Sequence, residues 1–287
     1  MRSQEEKARI FRSLHQREGA FLIPNPWDAG SAKLLAGLGF EALATTSSGF
    51  AHTLGRFDGQ VSRREKLEHC RSLAAATELP VSADLENGFA DAPAEAAETF
   101  LLAAEAGVVG GSIEDYSGDP RDPIYDFSLA VERVQAAVEA VGALDFPFTL
   151  TARAENFLHG RRDLDDTLRR LQAFEEAGAD VLYAPGLTTL DEIRAAAREL
   201  ARPLNVLAPL FRGATVRQLA DAGAKRLSVG GLLGRAAITP VIAAGREMLG
   251  PGTFGWTALA DSGSEVQRLF EAAQGIADPA AQGEDRE

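Results

Sequence analysis

The stretch EAGVVGGSIED, residues 105–115, closes a helical pattern on a glycine, runs directly into a strand-like segment and stops on two acids. Glycine accepts the left-handed conformation that ends a helix, so a glycine between an amphipathic run and an apolar run marks a helix stop followed at once by a strand start. The same punctuation recurs as GLGF (37–40), EAGAD (176–180) and DAGAK (221–225). Working outward, strand-length apolar runs stand at 21–25 (FLIPN), 41–47 (EALATTS), 80–86 (PVSADLE), 108–114 (VVGGSIE), 146–152 (FPFTLTA), 180–185 (DVLYAP), 203–209 (PLNVLAP) and 225–231 (KRLSVGG). Helical patterns fill the intervals and one follows the last strand, for example PAEAAETFLLAAEAG (93–107) and LDDTLRRLQAFEEAGA (164–179). Eight β/α pairs with right-handed crossovers predict a closed (β/α)8 TIM barrel of the α/β class. An open doubly wound sheet would carry a glycine-rich nucleotide loop after its first strand, and PNPWDAGSA (24–32) has no GxGxxG. The first 18 residues predict an extra helix before the barrel. The barrel domain is expected over 1–255, with a C-terminal helix (257–275) and a polar, disordered tail completing 256–287.

Composition narrows the function. The 287 residues are 45% hydrophobic and 25% charged, with a net charge of −13. That charge opposes nucleic acid and anionic membranes as partners, both being polyanions, while a local arginine or metal can still admit a small anion. No apolar run approaches the roughly 18 residues that cross a bilayer, and MRSQEEKARI has no signal-peptide core, so a cytoplasmic protein is expected. Cys70, the single cysteine, excludes an internal disulfide or a thiolate cage.

In a barrel of this kind chemistry sits at the C-terminal strand ends. The third run ends Asp84-Leu85-Glu86 and the fourth ends Glu114-Asp115. Alternation along a strand puts Asp84 and Glu86 on one face, and Glu114 stands on the neighbouring strand. Three bare carboxylates would repel, a divalent cation resolves the repulsion, and an all-oxygen shell suits Mg²⁺ or Mn²⁺. Each acid alone could equally be a solvated strand end or a helix cap. Arg153, closing the fifth run, could hold a substrate carboxylate in a fork or pair with the acidic cluster itself. TTSSGF (45–50) offers hydroxyls and N–H groups as an anion cradle. The four lysines, Lys7, Lys33, Lys66 and Lys225, all lie away from strand C-terminal ends, which leaves Schiff-base chemistry without an amine.

Taken in order, PNPWDAGSAKLLAGLGF (24–40), TTSSGFAHTLGRFDG (45–59), ADLENGFAD (83–91), SIEDYSGD (112–119), ARAENFL (152–158) and LSVGG (227–231) resemble the isocitrate lyase and phosphoenolpyruvate mutase superfamily in its small single-barrel form. The resemblance implies a metal-dependent enzyme acting on a 2-oxo acid or an enolate, commonly a homotetramer that exchanges a C-terminal helix. Carried over by position, Asp84, Glu86 and Glu114 are the expected metal residues, with Glu86 where relatives often have Asp. Asp58 resembles a further active-site acid, Thr46, Ser47, Ser48 and Gly49 resemble the substrate-carboxylate loop, and Arg153 resembles the substrate-binding arginine. The lyases of isocitrate and methylisocitrate carry a cysteine loop after strand 4, where this chain has YSGDPRDPIYDF (116–127), without cysteine or lysine.

These departures predict an oxaloacetate-like decarboxylase working through a metal-stabilised enolate, because CO₂ leaves neutral and needs no acid. The alternatives are a methylisocitrate-type carbon–carbon lyase with Tyr116 or His159 as base, a phosphonopyruvate or phosphoenolpyruvate-type enzyme, and a non-catalytic 2-oxo acid binder. The loop from Tyr116 to Phe127 is expected to close over the substrate.

Overall fold

A computed structural model describes residues 2–260 and 263–275, and the tail expected to be disordered lies outside the described residues. The chain runs α1 (Gln4–Gln16), β1 (Phe21–Ile23), α2 (Ala29–Gly37), β2 (Leu43–Ala44), α3 (Ser47–Thr53), α4 (Arg63–Ala76), β3 (Val81–Asp84), α5 (Pro93–Glu105), β4 (Gly110–Glu114), α6 (Phe127–Gly142) and β5 (Thr149–Arg153). It continues through α7 (Leu164–Glu176), β6 (Val181–Tyr183), α8 (Leu190–Glu199), β7 (Leu204–Leu207), α9 (Val216–Asp221), β8 (Ala224–Ser228), α10 (Leu232–Leu249) and α11 (Ser264–Ala273). The eight strands are parallel, in the order β1-β8-β7-β6-β5-β4-β3-β2, which makes a nearly closed barrel. Between β1 and β2 the gap is bridged by Ala44 N–H donating to Pro24 O at 3.1 Å and by Asn25 Nδ2 donating to Thr45 O at 3.1 Å.

The glycines that punctuate the sequence do turn the chain: Gly39, Gly107, Gly178 and Gly223 have φ of 92°, 95°, 103° and 110°. Helix starts are equally local, with Ser62 and Glu65 capping α4 reciprocally and Pro93 opening α5. The large core lies between the sheet and its helices, and a smaller one forms where α1 plugs the barrel floor with Phe11. A Cβ at Gly110 would come within 2.8 Å of the Phe11 ring, so the plug requires glycine there.

One expectation changes. TTSSGF is not a loop: from Ser47 it forms the first turns of α3, capped by Thr46 Oγ1 accepting from Gly49 N. Serine and threonine read as loop because they compete for backbone hydrogen bonds, and here that property serves as a cap. The C-terminal helix α11 packs on α2, where a Cβ at Gly37 would lie 2.1 Å from Leu269 O.

Candidate active site

β3, β4 and β5 are consecutive in the sheet, and Glu114 pairs in register with Arg153. Arg153 Nη1 donates to Asp84 Oδ1 at 2.9 Å, Nη2 stands 3.1 Å from Glu114 Oε2, and Nε donates to Glu155 Oε1 at 2.8 Å. Of the two roles open to this arginine, the structure displays pairing with the acids. Glu155, two residues on, was not among the expected site residues, although its spacing from Arg153 was a usable signal.

Glu86 arrives by a different route from the one alternation suggests. β3 stops at Asp84, and Glu86 lies beyond it in a turn with φ of 51°, followed by Phe89 at 60°. Left-handed non-glycine residues cost about 1–3 kcal/mol each and persist where the surroundings impose them. The imposing group is Arg133 of α6, which donates to the carbonyls of Asn87, Ala90 and Asp91. The turn leaves Glu86 Oε1 buried without a hydrogen-bond partner.

Electrostatics follow from crowding. Burial pushes Glu86 up to about 7, with Asp84 adding to the effect. Burial likewise raises Glu114 well above the usual carboxylate range, against the pull of Arg153, and raises Glu155. Asp84 is the exception: burial opposes ionisation, but Arg153, Lys66 and the Ser47 N–H at 2.9 Å together hold it below its ordinary value. Lys66 was set aside because it lies away from the strand C-terminal ends, yet it is 0% exposed on α4 and its Nζ has no hydrogen-bond partner. Four carboxylates, Asp84, Glu86, Glu114 and Glu155, thus face two cations, Arg153 and Lys66, leaving two negative charges in excess when all are ionised.

That excess, the all-oxygen donor set and the orphaned Glu86 oxygen fit a hard divalent cation. Asp84, Glu86 and Glu114 are the residues that would hold it. Among the described residues no three acids are already gathered into a cage, and Arg153 stands between Asp84 and Glu114.

Two connected cavities open on this cluster. The inner one, about 150 Å³, lies within the barrel and is lined by Thr46, Ser47, Ser48, Asp58, Asp84 and Arg153, among others. The outer one, about 1000 Å³, is lined by Asp58, Glu86, Glu114, Tyr116, Glu155 and His159. Tyr116 and His159 stack with ring centroids 3.9 Å apart, and His159 Nε2 lies 3.8 Å from Glu155 Oε2. Burial and Arg153 hold the His159 pKa below its usual value. Gly49 does not line either cavity: its N–H caps onto Thr46, and an added Cβ would approach Trp27 to 3.2 Å. Ser48 does reach the inner cavity, past Gly231, where a Cβ would lie 2.1 Å from its hydroxyl. Cys70 is buried, and its thiol is pushed up to about 11 by burial, which makes it unreactive. The Tyr116–Phe127 loop is tied to itself, with Ser117 N–H donating to Pro123 O at 2.8 Å and Tyr125 N–H to Asp115 O at 2.9 Å.

Comparison with known proteins agrees with this geometry. The family model for phosphoenolpyruvate phosphomutase matches residues 11–249. A solved structure from Burkholderia cenocepacia J2315, described provisionally as a lyase/mutase, shares 56% identity, covers 96% of this chain and 97% of its own, and superposes with a TM-score of 0.90. The 2-methylisocitrate lyase of Halalkalibacterium halodurans is 28% identical over 206 residues, 71% of this chain and 68% of that enzyme. The oxaloacetate decarboxylase of Paraburkholderia xenovorans is 29% identical over 204 residues, 68% of this chain and 67% of that enzyme.

Proposed function

Since the chain belongs to the phosphoenolpyruvate phosphomutase family of lyases and mutases, whose members are divalent-metal dependent, we propose that it is a Mg²⁺- or Mn²⁺-dependent carboxy-lyase acting on a small 2-oxo acid of the oxaloacetate type. The observation that carries this reading is the make-up of the two cavities: carboxylates, hydroxyls and the arginines Arg63, Arg153 and Arg226, with neither cysteine nor lysine among the described lining residues. A lyase that expels a dianion needs an acid to protonate it. Decarboxylation expels neutral CO₂ and needs none.

Substrate enters through the outer cavity, and the hydroxyls of Thr46, Ser47 and Ser48 receive its carboxylate beside Arg153. Asp84, Glu86 and Glu114 would hold a divalent ion, which when bound would supply Lewis-acid chemistry at the 2-oxo group. Cleavage of the C3–C4 bond leaves its electron pair on the C2–C3 unit as an enolate, and Arg153 shares the developing charge. The product forms when C3 accepts a proton, for which Tyr116 and His159 stand in the outer cavity. Asp58, at the junction of the cavities, borders the same space. The Tyr116–Phe127 loop is the segment that would shut it from water.

His159 favours a second reading. An imidazole held neutral beside Glu155 suits a base that deprotonates a substrate hydroxyl, as retro-aldol cleavage of a methylisocitrate-type substrate requires. Product analysis on oxaloacetate, 2-methylisocitrate and phosphonopyruvate with Mg²⁺ separates the readings: pyruvate with CO₂ from oxaloacetate supports decarboxylation, and pyruvate with succinate from methylisocitrate supports the lyase. Binding of all three without turnover overturns both and identifies a sensor.

The assembly proposed is a homo-oligomer, and a tetramer fits the family form. α10 exposes Val241 and Leu249 at 70% and 92%, and Phe254 and Leu259 beyond it are also exposed, apolar side chains that a partner subunit would cover. Among the described residues no helix is long and apolar enough to cross a membrane.

A further inference from the structure

Below the rim, the inner cavity ends on a second cation. Arg226 of β8 is 5% exposed and lines the same cavity as Arg153. Its Nε donates to Asn205 Oδ1 at 2.8 Å, its Nη2 donates to Thr151 Oγ1 at 3.0 Å, and its Nη1 lies 3.4 Å from His15 Nε2. All three partners are neutral. His15 presents a bare Nε2 because its Nδ1 faces Phe11 O at 2.8 Å and burial brings its pKa down to about 3. A guanidinium carries five N–H donors, and these contacts use three.

A buried charge without a counter-charge costs several kcal/mol, and proteins ordinarily pair it. Arg170, buried to the same 5%, follows that rule, with Asp115 at 3.2 Å and Asp166 at 2.9 Å. Arg133, which lines neither central cavity, is held by three carbonyls. Arg226 has neither arrangement, although burial lowers its pKa only to about 10 and it remains charged at neutral pH. Together with Asn205 and Ser228, whose side chains are joined by Asn205 Nδ2 donating to Ser228 Oγ at 3.0 Å, Arg226 lines a space of about 150 Å³. At about 30 Å³ per water that is room for roughly five waters, or for one short dicarboxylate.

We infer that Arg226, with Asn205 and Ser228, forms a carboxylate subsite at the cavity floor that receives the far end of the substrate and selects dicarboxylates over monocarboxylates. This rests on the rim binding the 2-oxo acid head as proposed above. Tyr183, whose ring lies 5.2 Å from the Arg153 guanidinium, borders the cavity between head and floor.

The test is calorimetric binding, with Mg²⁺ present, of pyruvate and of 3,3-difluorooxaloacetate, a dicarboxylate that resists decarboxylation. The wild type is expected to prefer the dicarboxylate by tenfold or more. Arg226→Gln should lose that preference while pyruvate affinity changes less than threefold, and Arg226→Lys should retain part of it. An unchanged preference, or equal weakening of both acids in both variants, overturns the inference and leaves Arg226 a packing residue. If the wild type binds neither acid, the reading of the rim has failed, and bromide soaked into crystals decides the floor alone. An anomalous peak touching Arg226 and lost in Arg226→Gln then supports an anion subsite, and no peak overturns it.

Discussion

Replacing Arg153 by glutamine removes the guanidinium that Asp84, Glu114 and Glu155 share at 2.9, 3.1 and 2.8 Å. Deleting one partner of a buried ion pair costs about 3–5 kcal/mol, because it strands the other charge. At about 2 °C per kcal/mol for a chain of this size, the melting temperature should fall by about 6–10 °C. The pH dependence gives the mechanism away. Without the guanidinium Glu114 and Glu155 rise further above their unfolded pKa values, and Asp84 loses part of the pull that holds it below its own. A raised acid contributes fully below its unfolded pKa and loses that contribution as pH rises, so the deficit should be largest near about pH 8 and shrink towards about pH 5. Mg²⁺, replacing the missing charge, should stabilise Arg153→Gln more than the wild type. Scanning calorimetry across that range, with and without Mg²⁺, reads all three effects. A variant that melts with the wild type, or whose deficit does not vary with pH, would refute the assignment of Arg153 as counter-charge to the cluster.

Two further predictions rest on the same reasoning. Glu86→Gln should stabilise the metal-free protein above pH 7, where the carboxylate raised from 4.5 to about 7 is ionised at a cost of at most about 3 kcal/mol, and should have no effect below pH 4.5. The same variant should bind Mg²⁺ more weakly in a calorimetric titration. His15 and His69, both lowered from 6.5 to about 3 by burial, hold stability that is complete above pH 6.5 and lost as pH falls. Between them they should cost about 5 kcal/mol near about pH 4.5, so His15→Gln/His69→Gln should flatten the acid limb of the melting curve.

The barrel was legible because its signals are local. A glycine after an amphipathic run needs no partner to end a helix, and eight repetitions of one unit leave little topological choice. The site was legible as far as strand ends could be located, which brought out Asp84, Glu114 and Arg153. Glu86 was named on a mistaken geometry: it reaches the cluster through a left-handed turn held by Arg133, some 47 residues away in the chain. No local pattern encodes that clamp. Lys66 and Arg226 were passed over for related reasons. A lysine on an amphipathic helix reads as solvated, and an arginine inside a strand reads as facing out, until the fold shows which side is the barrel lumen. Which charges Arg153 would neutralise is likewise a property of three strands together.

The acids at and just beyond the ends of β3 and β4 are proposed to hold a divalent ion with which a 2-oxo acid is decarboxylated. Pyruvate release from oxaloacetate at saturating Mg²⁺, corrected for the metal-only rate, tests it most directly when wild type and Asp84→Asn are compared. Turnover well above background is expected for the wild type, abolished by chelator, with a loss of at least about 100-fold in Asp84→Asn, in keeping with removal of a group that supports transition-state charge. Equal rates in the two proteins, or wild-type turnover that survives chelation, would contradict it.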